Sequence, residues 1–253
     1  MAVNQMHFYS ESLGMYTTVN VILPLPRRMP QSQRPMRVLT LLHGMGDDYS
    51  AWLHRTNIEN YALRAGLAVV MPDGNLSCWE NMEHGGRYRD YILDELPRVM
   101  HACLPLSSAR EDNFIAGCSM GGFGALKLGL AAPEKWSAIG CFSAGHREYR
   151  PDSPRNQAML RNVYGSRLDE FEQQIERDAL RADKPPLQIW HGCGDEDILR
   201  ENAERTRAFL QDAPGIAYHF EILPGKHNWL LWDGMVERFI RSLNLPAPEV
   251  HLL

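Results

Sequence analysis

Ser119 sits in Gly117-Cys118-Ser119-Met120-Gly121, between the apolar run Phe114–Ala116 and the helix-forming run Met120–Leu130. This is the sequence form of a nucleophile elbow. The serine occupies a tight, strained strand-to-helix turn that exposes its hydroxyl at the carboxyl end of a sheet. Gly117 and Gly121 let neighbouring backbone pass beside it,. The N–H of Met120, at the start of the following helix, points where an oxyanion would form,. The pentapeptide alone also fits a glycine-rich structural turn, but the flanking strand and helix favour acyl-transfer chemistry.

A serine hydroxyl is a poor nucleophile at neutral pH, so it needs a base and an orienting acid. With this elbow the chain order is serine, acid, histidine, the acid following a late strand and the histidine preceding the last helix. His227 fits the second place, after the apolar run Tyr218–Leu223 and the turn Pro224-Gly225. For the acid, Leu187–Trp190 leads into His191-Gly-Cys-Gly-Asp195-Glu196-Asp197. Spacing alone leaves Asp195 and Asp197 as alternatives, and the remaining acids read as exposed loop carboxylates near a helix start.

His43, at a strand end before Gly44, reads as a residue that holds an oxyanion loop by hydrogen bonds; the backbone N–H of Met45 is the second candidate donor,. No HExxH spacing occurs, and His84, His101 and His146 stand alone, so no metal site is expected,. Gly121-Gly122-Phe123-Gly124 is neither a P-loop nor GxGxxG, so no nucleotide cofactor is expected,.

The elements that must position these residues alternate. Thr17–Leu23, Val38–Leu42, Leu67–Met71, Phe114–Ala116, Trp136–Phe142, Leu187–Trp190 and Tyr218–Leu223 read as strands,. Trp52–Ala65, Tyr91–Cys103, Met120–Leu130, Leu168–Leu180, Ala203–Leu210 and Leu230–Leu243 read as helices,. Pro24-Leu-Pro26 with Arg27-Arg28 reads as a turn-rich link, and a short tail follows Pro246-Ala-Pro248,. The alternation predicts a mostly parallel central sheet with helices on both faces. The whole chain, 1–253, reads as one α/β domain with residues 145–186 as a small insertion or cap,.

With 44% apolar residues among 253, the chain can bury a large core,. A formal charge of −5 without a basic patch argues against nucleic acid as a partner,. Five cysteines without CxxC spacing, no signal-like start and no apolar run of bilayer length predict a reduced, cytoplasmic protein without a membrane partner,.

Several further segments carry a family resemblance. His43-Gly-Met45, Met71-Pro-Asp-Gly74, Gly85-Gly-Arg-Tyr88, Gly117–Gly122, Cys193-Gly-x-Glu-Asp197-x-Leu199 and Pro224-Gly-x-His227-x-Trp229 resemble, in order, the tributyrin esterase branch of the esterase D superfamily. Phe8–Met15 and Val19–Pro24 are similar to it as well. The resemblance implies an α/β-hydrolase fold and a serine carboxylesterase that cleaves short-chain acyl esters without a cofactor. It implies Ser119 as nucleophile, His227 as base, Asp197 rather than Asp195 as acid, and the Met45 and Met120 N–H groups as oxyanion donors. Relatives in that superfamily include S-formylglutathione hydrolases and sugar or phenolic ester deacylases. Gly46-Asp-Asp48 departs from the Thr/Ser-Cys-Thr segment of the glutathione thioesterases. A non-catalytic binding module is disfavoured because serine, acid and histidine are all present.

Trp79, Tyr88 and Trp229 are candidates to line the substrate pocket, since loops after strands face the site in this fold; packing in the core is the alternative,. The expected partner is a small-molecule ester, with association into a homo-oligomer left open.

Overall fold

The computed structural model describes residues 1–24, 35–147 and 153–246. The link after Pro24 and the end of the tail lie outside the described residues.

Eight strands form one sheet in the order β1-β2-β4-β3-β5-β6-β7-β8. They are β1 (Ala2–Ser10), β2 (Met15–Leu23), β3 (Arg37–Leu42), β4 (Leu67–Pro72), β5 (Asn113–Cys118), β6 (Ala138–Phe142), β7 (Leu187–Gly194) and β8 (Ile216–Leu223). β1 and β2 pair antiparallel, β2 joins β4 antiparallel, and from β4 to β8 every pairing is parallel. β3, β4, β5 and β6 are short and almost wholly buried, as strands covered on both faces must be,. The chain thus has the mixed-sheet α/β-hydrolase architecture, with helices on both faces.

The helices divide the core in two. α1 (Ala51–Arg55), α2 (Ile58–Ala65) and α9 (Trp229–Ser242) cover one face, through Trp52, Ile58, Ala62, Trp232, Val236 and Phe239. The other face carries α3 (Tyr88–Asp90) running into α4 (Leu96–Cys103), then α5 (Met120–Ala131), α6 (Pro154–Tyr164), α7 (Leu168–Leu180) and α8 (Arg200–Leu210). α5 is the central helix; its residues from Met120 to Leu130 are all buried, which explains an apolar sequence with no amphipathic stripe,.

Four elements differ from the sequence reading. The single helix expected over Trp52–Ala65 breaks at Thr56, which is extended. The Thr56 hydroxyl donates to the Trp52 carbonyl at 2.6 Å and accepts the Ile58 N–H at 3.2 Å, closing one helix and opening the next,. Between α3 and α4 the turn widens to a π-helix, Tyr91–Glu95, with the Leu96 N–H reaching the Tyr91 carbonyl. Pro97 has no N–H to give the Leu93 carbonyl, which loosens the α register there,. β1 was not expected, although its inward Met6 and Phe8 alternate with outward Gln5, His7 and Tyr9 as in a half-buried strand,. Nor was α6, although Ser153 caps it by accepting the Asn156 N–H and Pro154 opens it, a readable start signal,.

Among the described residues, no helix is long and apolar enough to cross a membrane.

Candidate active site

Ser119 lies between the end of β5 and the start of α5 at φ 54°, ψ −120°. A non-glycine residue is rarely held there, and the surrounding bonds impose it. The Ser119 N–H donates to the Phe142 carbonyl at 2.8 Å, and its carbonyl accepts the Phe123 N–H at 3.0 Å. The turn is possible only because backbones nearly touch. A Cβ on Gly117 would stand 2.4 Å from the Gly121 carbonyl oxygen, and one on Gly121 would stand 2.4 Å from that of Leu42.

The parallel sheet brings three loops to this point. The Ser119 hydroxyl donates to Nε2 of His227 at 2.9 Å. The other ring nitrogen, Nδ1–H, donates to Oδ1 of Asp197 at 2.9 Å. Both bonds require the neutral imidazole tautomer protonated at Nδ1. His227 follows β8, directly before Asn228, whose side chain caps α9 by accepting the Leu231 N–H at 3.2 Å. The Trp232 ring meets the His227 ring edge-on at 5.0 Å.

Asp197 follows β7, with its side chain fully buried. Burial works to raise its pKa, but the bonds from His227 and the Leu199 N–H, with the Ser143 hydroxyl close by, outweigh it and hold the carboxyl below the usual carboxylate range,. Ser143 is also the acceptor for the Trp232 indole N–H at 2.9 Å. Asp195, the alternative acid, is exposed and accepts the Gly225 N–H at 2.8 Å. Glu196 is exposed and pairs with Lys226 at 3.4 Å.

Ser119 opens on a cavity of about 30 Å³ lined by Met45, Met120, Phe123, Ala144, Arg147 and Leu199, among others. Met120 begins α5, so its N–H has no acceptor within the helix and is free for a ligand,. Met45 follows His43-Gly44. His43 is buried, and its Nδ1–H donates to the Gly44 carbonyl at 2.8 Å while Nε2 accepts the Gly74 N–H at 2.9 Å. The loop that presents Met45 is therefore tied to the loop after β4.

Trp79, Tyr88 and Trp229 do not line this cavity, which corrects the sequence reading. Trp79 is fully buried, its indole fitted between Gly74 and Gly124 and edge-on to His43 at 5.0 Å. Tyr88 is buried too, and its hydroxyl accepts the Asn75 amide N–H at 2.8 Å. Trp229 is half-buried against Trp52 and Trp232, with Asp47 nearby. All three brace loops around the site, because each aromatic meets a glycine or a polar partner supplied by a distant segment.

The sequence reading missed Phe123, Ala144, Arg147, Leu199 and Asn202 as lining residues. Ala144 and Arg147 follow β6 at the carboxyl edge, where position alone marks them for the site,. Two larger openings adjoin. A cavity of about 430 Å³ shares Met45 and is walled by Leu76, Met82 and Met159. A polar cleft of about 680 Å³ shares Arg147, Leu199 and Asn202 and is lined by Glu172 and Glu176. Among the described residues, no group of three or more His, Cys, Asp or Glu side chains is placed to hold a metal ion.

Such an arrangement can take a proton from Ser119, hold the resulting imidazolium against a carboxylate, and offer the helix-start N–H of Met120 to a tetrahedral oxyanion,.

Comparison with known proteins places the chain among esterases. A family model described as "Putative esterase" matches residues 10–241. An acetyl esterase of Caldicellulosiruptor saccharolyticus is 28% identical over 252 residues, covering 92% of this chain and 94% of that protein. Among solved structures, the substrate-bound fluorophosphonate-binding serine hydrolase F of Staphylococcus aureus has a TM-score of 0.84 and 30% identity, covering 96% of this chain and 98% of that one. S-formylglutathione hydrolase from Staphylococcus aureus has a TM-score of 0.83 and 30% identity over the same shares.

Proposed function

Since this chain belongs to that esterase family and is a carboxylic ester hydrolase, we propose that it works as a serine carboxylesterase through an acyl-enzyme on Ser119. The observation that carries this is the unbroken line from Ser119 through His227 to Asp197, with both bonds at 2.9 Å.

In this reading His227 Nε2 takes the hydroxyl proton as Ser119 Oγ attacks the ester carbonyl. Asp197 keeps the ring in the tautomer that leaves Nε2 free and stabilises the imidazolium that forms. The Met45 and Met120 N–H groups bind the oxyanion, where one lost donor costs about 3 kcal/mol of transition-state stabilisation. The imidazolium returns its proton to the departing alkoxide. Water, deprotonated by the same Nε2, then releases the acid and restores the serine.

The substrate is an ester with a short acyl group. A cavity of about 30 Å³ beside the nucleophile holds only a few heavy atoms, close to the space of one or two waters,. The polar cleft reached past Arg147 and Asn202 suits a polar leaving group, which favours a second reading as a thioesterase acting on a peptide-like thiol ester, the activity named for one relative.

Steady-state hydrolysis of 4-nitrophenyl acetate and of S-formylglutathione by wild type and Ser119→Ala tests both readings. The ester should be the better substrate, and Ser119→Ala should lose both activities. A Ser119→Ala enzyme that keeps turnover would refute the acyl-enzyme. A kcat/KM far higher for the thioester would replace the first reading with the second.

A further inference from the structure

α5 is apolar and buried along its length, yet it carries one charge, Lys127, two turns after the nucleophile. The Lys127 side chain is 6% exposed and its Nζ lies 2.9 Å from Oε2 of Glu80, itself 4% exposed. Nζ also donates to the Cys78 carbonyl at 2.9 Å. It stands 5.2 Å from the centre of the Phe123 ring and 5.8 Å from that of Tyr164. A buried ion pair is a poor device for stability, because desolvation of both charges offsets their attraction and an apolar pair of similar size does as well or better. Its retention in the helix that begins at the nucleophile calls for another reason.

That reason lies in what the ammonium holds. Cys78 and Trp79 are consecutive residues at positive φ, 49° and 56°, a conformation that costs free energy at each and persists only where neighbours impose it,. Lys127 clamps this turn at the Cys78 carbonyl and again at Glu80, one residue before and one after Trp79. Thus fixed, the Trp79 indole fills the space left by the missing side chains of Gly124 and Gly74 and packs edge-on against His43. His43 in turn bonds the Gly44 carbonyl, next to Met45.

We propose that Lys127 is a positioning residue: through Glu80 and the Cys78 carbonyl it seats Trp79, and through Trp79 and His43 it sets the angle of the Met45 N–H toward the oxyanion. This rests on the reading of Ser119 as nucleophile. Lys127 touches neither substrate nor a reacting atom. Its effect is on the oxyanion and not on the ground-state ester.

The test compares wild type, the apolar pair Lys127→Met/Glu80→Leu, which leaves no lone buried charge, and Glu80→Gln, which keeps the shape and the bond to Cys78. Active sites are counted by end-point labelling with an organophosphonate, so that unfolded protein does not enter kcat. For 4-nitrophenyl acetate, the double variant should lose 10- to 100-fold in kcat per labelled site with KM within about threefold, and Glu80→Gln should lose less. A trifluoromethyl ketone, which forms an oxyanion on the nucleophile, should bind more weakly by the same factor as kcat falls. Unchanged kcat per site in either folded variant, whatever the loss in melting temperature, would overturn the proposal. Should the double variant not fold, Glu80→Gln decides by the same split. Retained activity in Ser119→Ala would instead overturn the reading beneath it, so the two failures are distinct.

Discussion

The carboxylate of Asp195 accepts the Gly225 N–H at 2.8 Å, so it braces the very turn that delivers His227 while Asp197 receives the His227 N–H. Two acids separated by one residue thus have different tasks. Asp197→Asn should lower kcat by about 10⁴, because an amide in that place favours the wrong imidazole tautomer. Asp195→Asn should cost less than about tenfold, through looser placement of the turn. Initial rates on 4-nitrophenyl acetate at saturating substrate check the ranking, and the reverse order would move the acid to Asp195.

Ser119→Ala should remove at least about 10³-fold of the ester hydrolysis, together with labelling by an organophosphonate. The melting temperature should shift by no more than a few degrees, since the strained turn is held by the Phe142 carbonyl and the Phe123 N–H, neither of which involves the hydroxyl. Mass spectrometry of the labelled wild-type peptide should place one adduct on Ser119.

Among 4-nitrophenyl esters, kcat/KM should peak at two to four acyl carbons and fall with longer chains. The small cavity walled by Phe123, Ala144 and Leu199 sets the limit. Phe123→Ala should move the optimum upward by removing one wall. A wild-type preference for ten carbons or more would mean that the acyl chain occupies the larger cavity beyond Met45 instead.

His191, on β7, is fully buried and its pKa is pushed down to about 4, first by burial, against the favourable bond to the Ala144 carbonyl. Its Nδ1 accepts the Tyr218 hydroxyl at 2.7 Å, which also requires a neutral ring. The unfolded chain binds a proton on this histidine below pH ~6.5, whereas the folded chain does not until pH falls to about 4,. Stability contributed by this group is therefore complete above pH ~6.5 and is lost as pH falls to 4, by about 3 kcal/mol,. Urea unfolding at pH 7 and pH 4.5 should show the loss, and His191→Gln, which cannot titrate, should show a smaller one. Equal losses in the two proteins would exclude His191 as the source.

What the sequence by itself determined is local or strongly ordered. The elbow could be read because strand, glycine turn and helix are contiguous from Phe114 to Leu130, and because backbone sterics at Gly117 and Gly121 admit few residue types. The parallel sheet could be read because buried strands such as Leu67–Pro72 are continuously apolar. The place of His227 followed from chain order alone. Tertiary structure decided the rest, for reasons of distance and burial. The choice between Asp195 and Asp197 depends on which carboxylate a turn thirty residues later meets, a relation absent from either segment's own spacing. Trp79 looks like a pocket residue in one dimension; only folding brings Gly124 and Gly74 to either side of its ring, and the space they leave makes it a brace. The same holds for the charge on α5. Lys127 is a single exception in an apolar helix until the fold sets Glu80 and the Cys78 carbonyl against it.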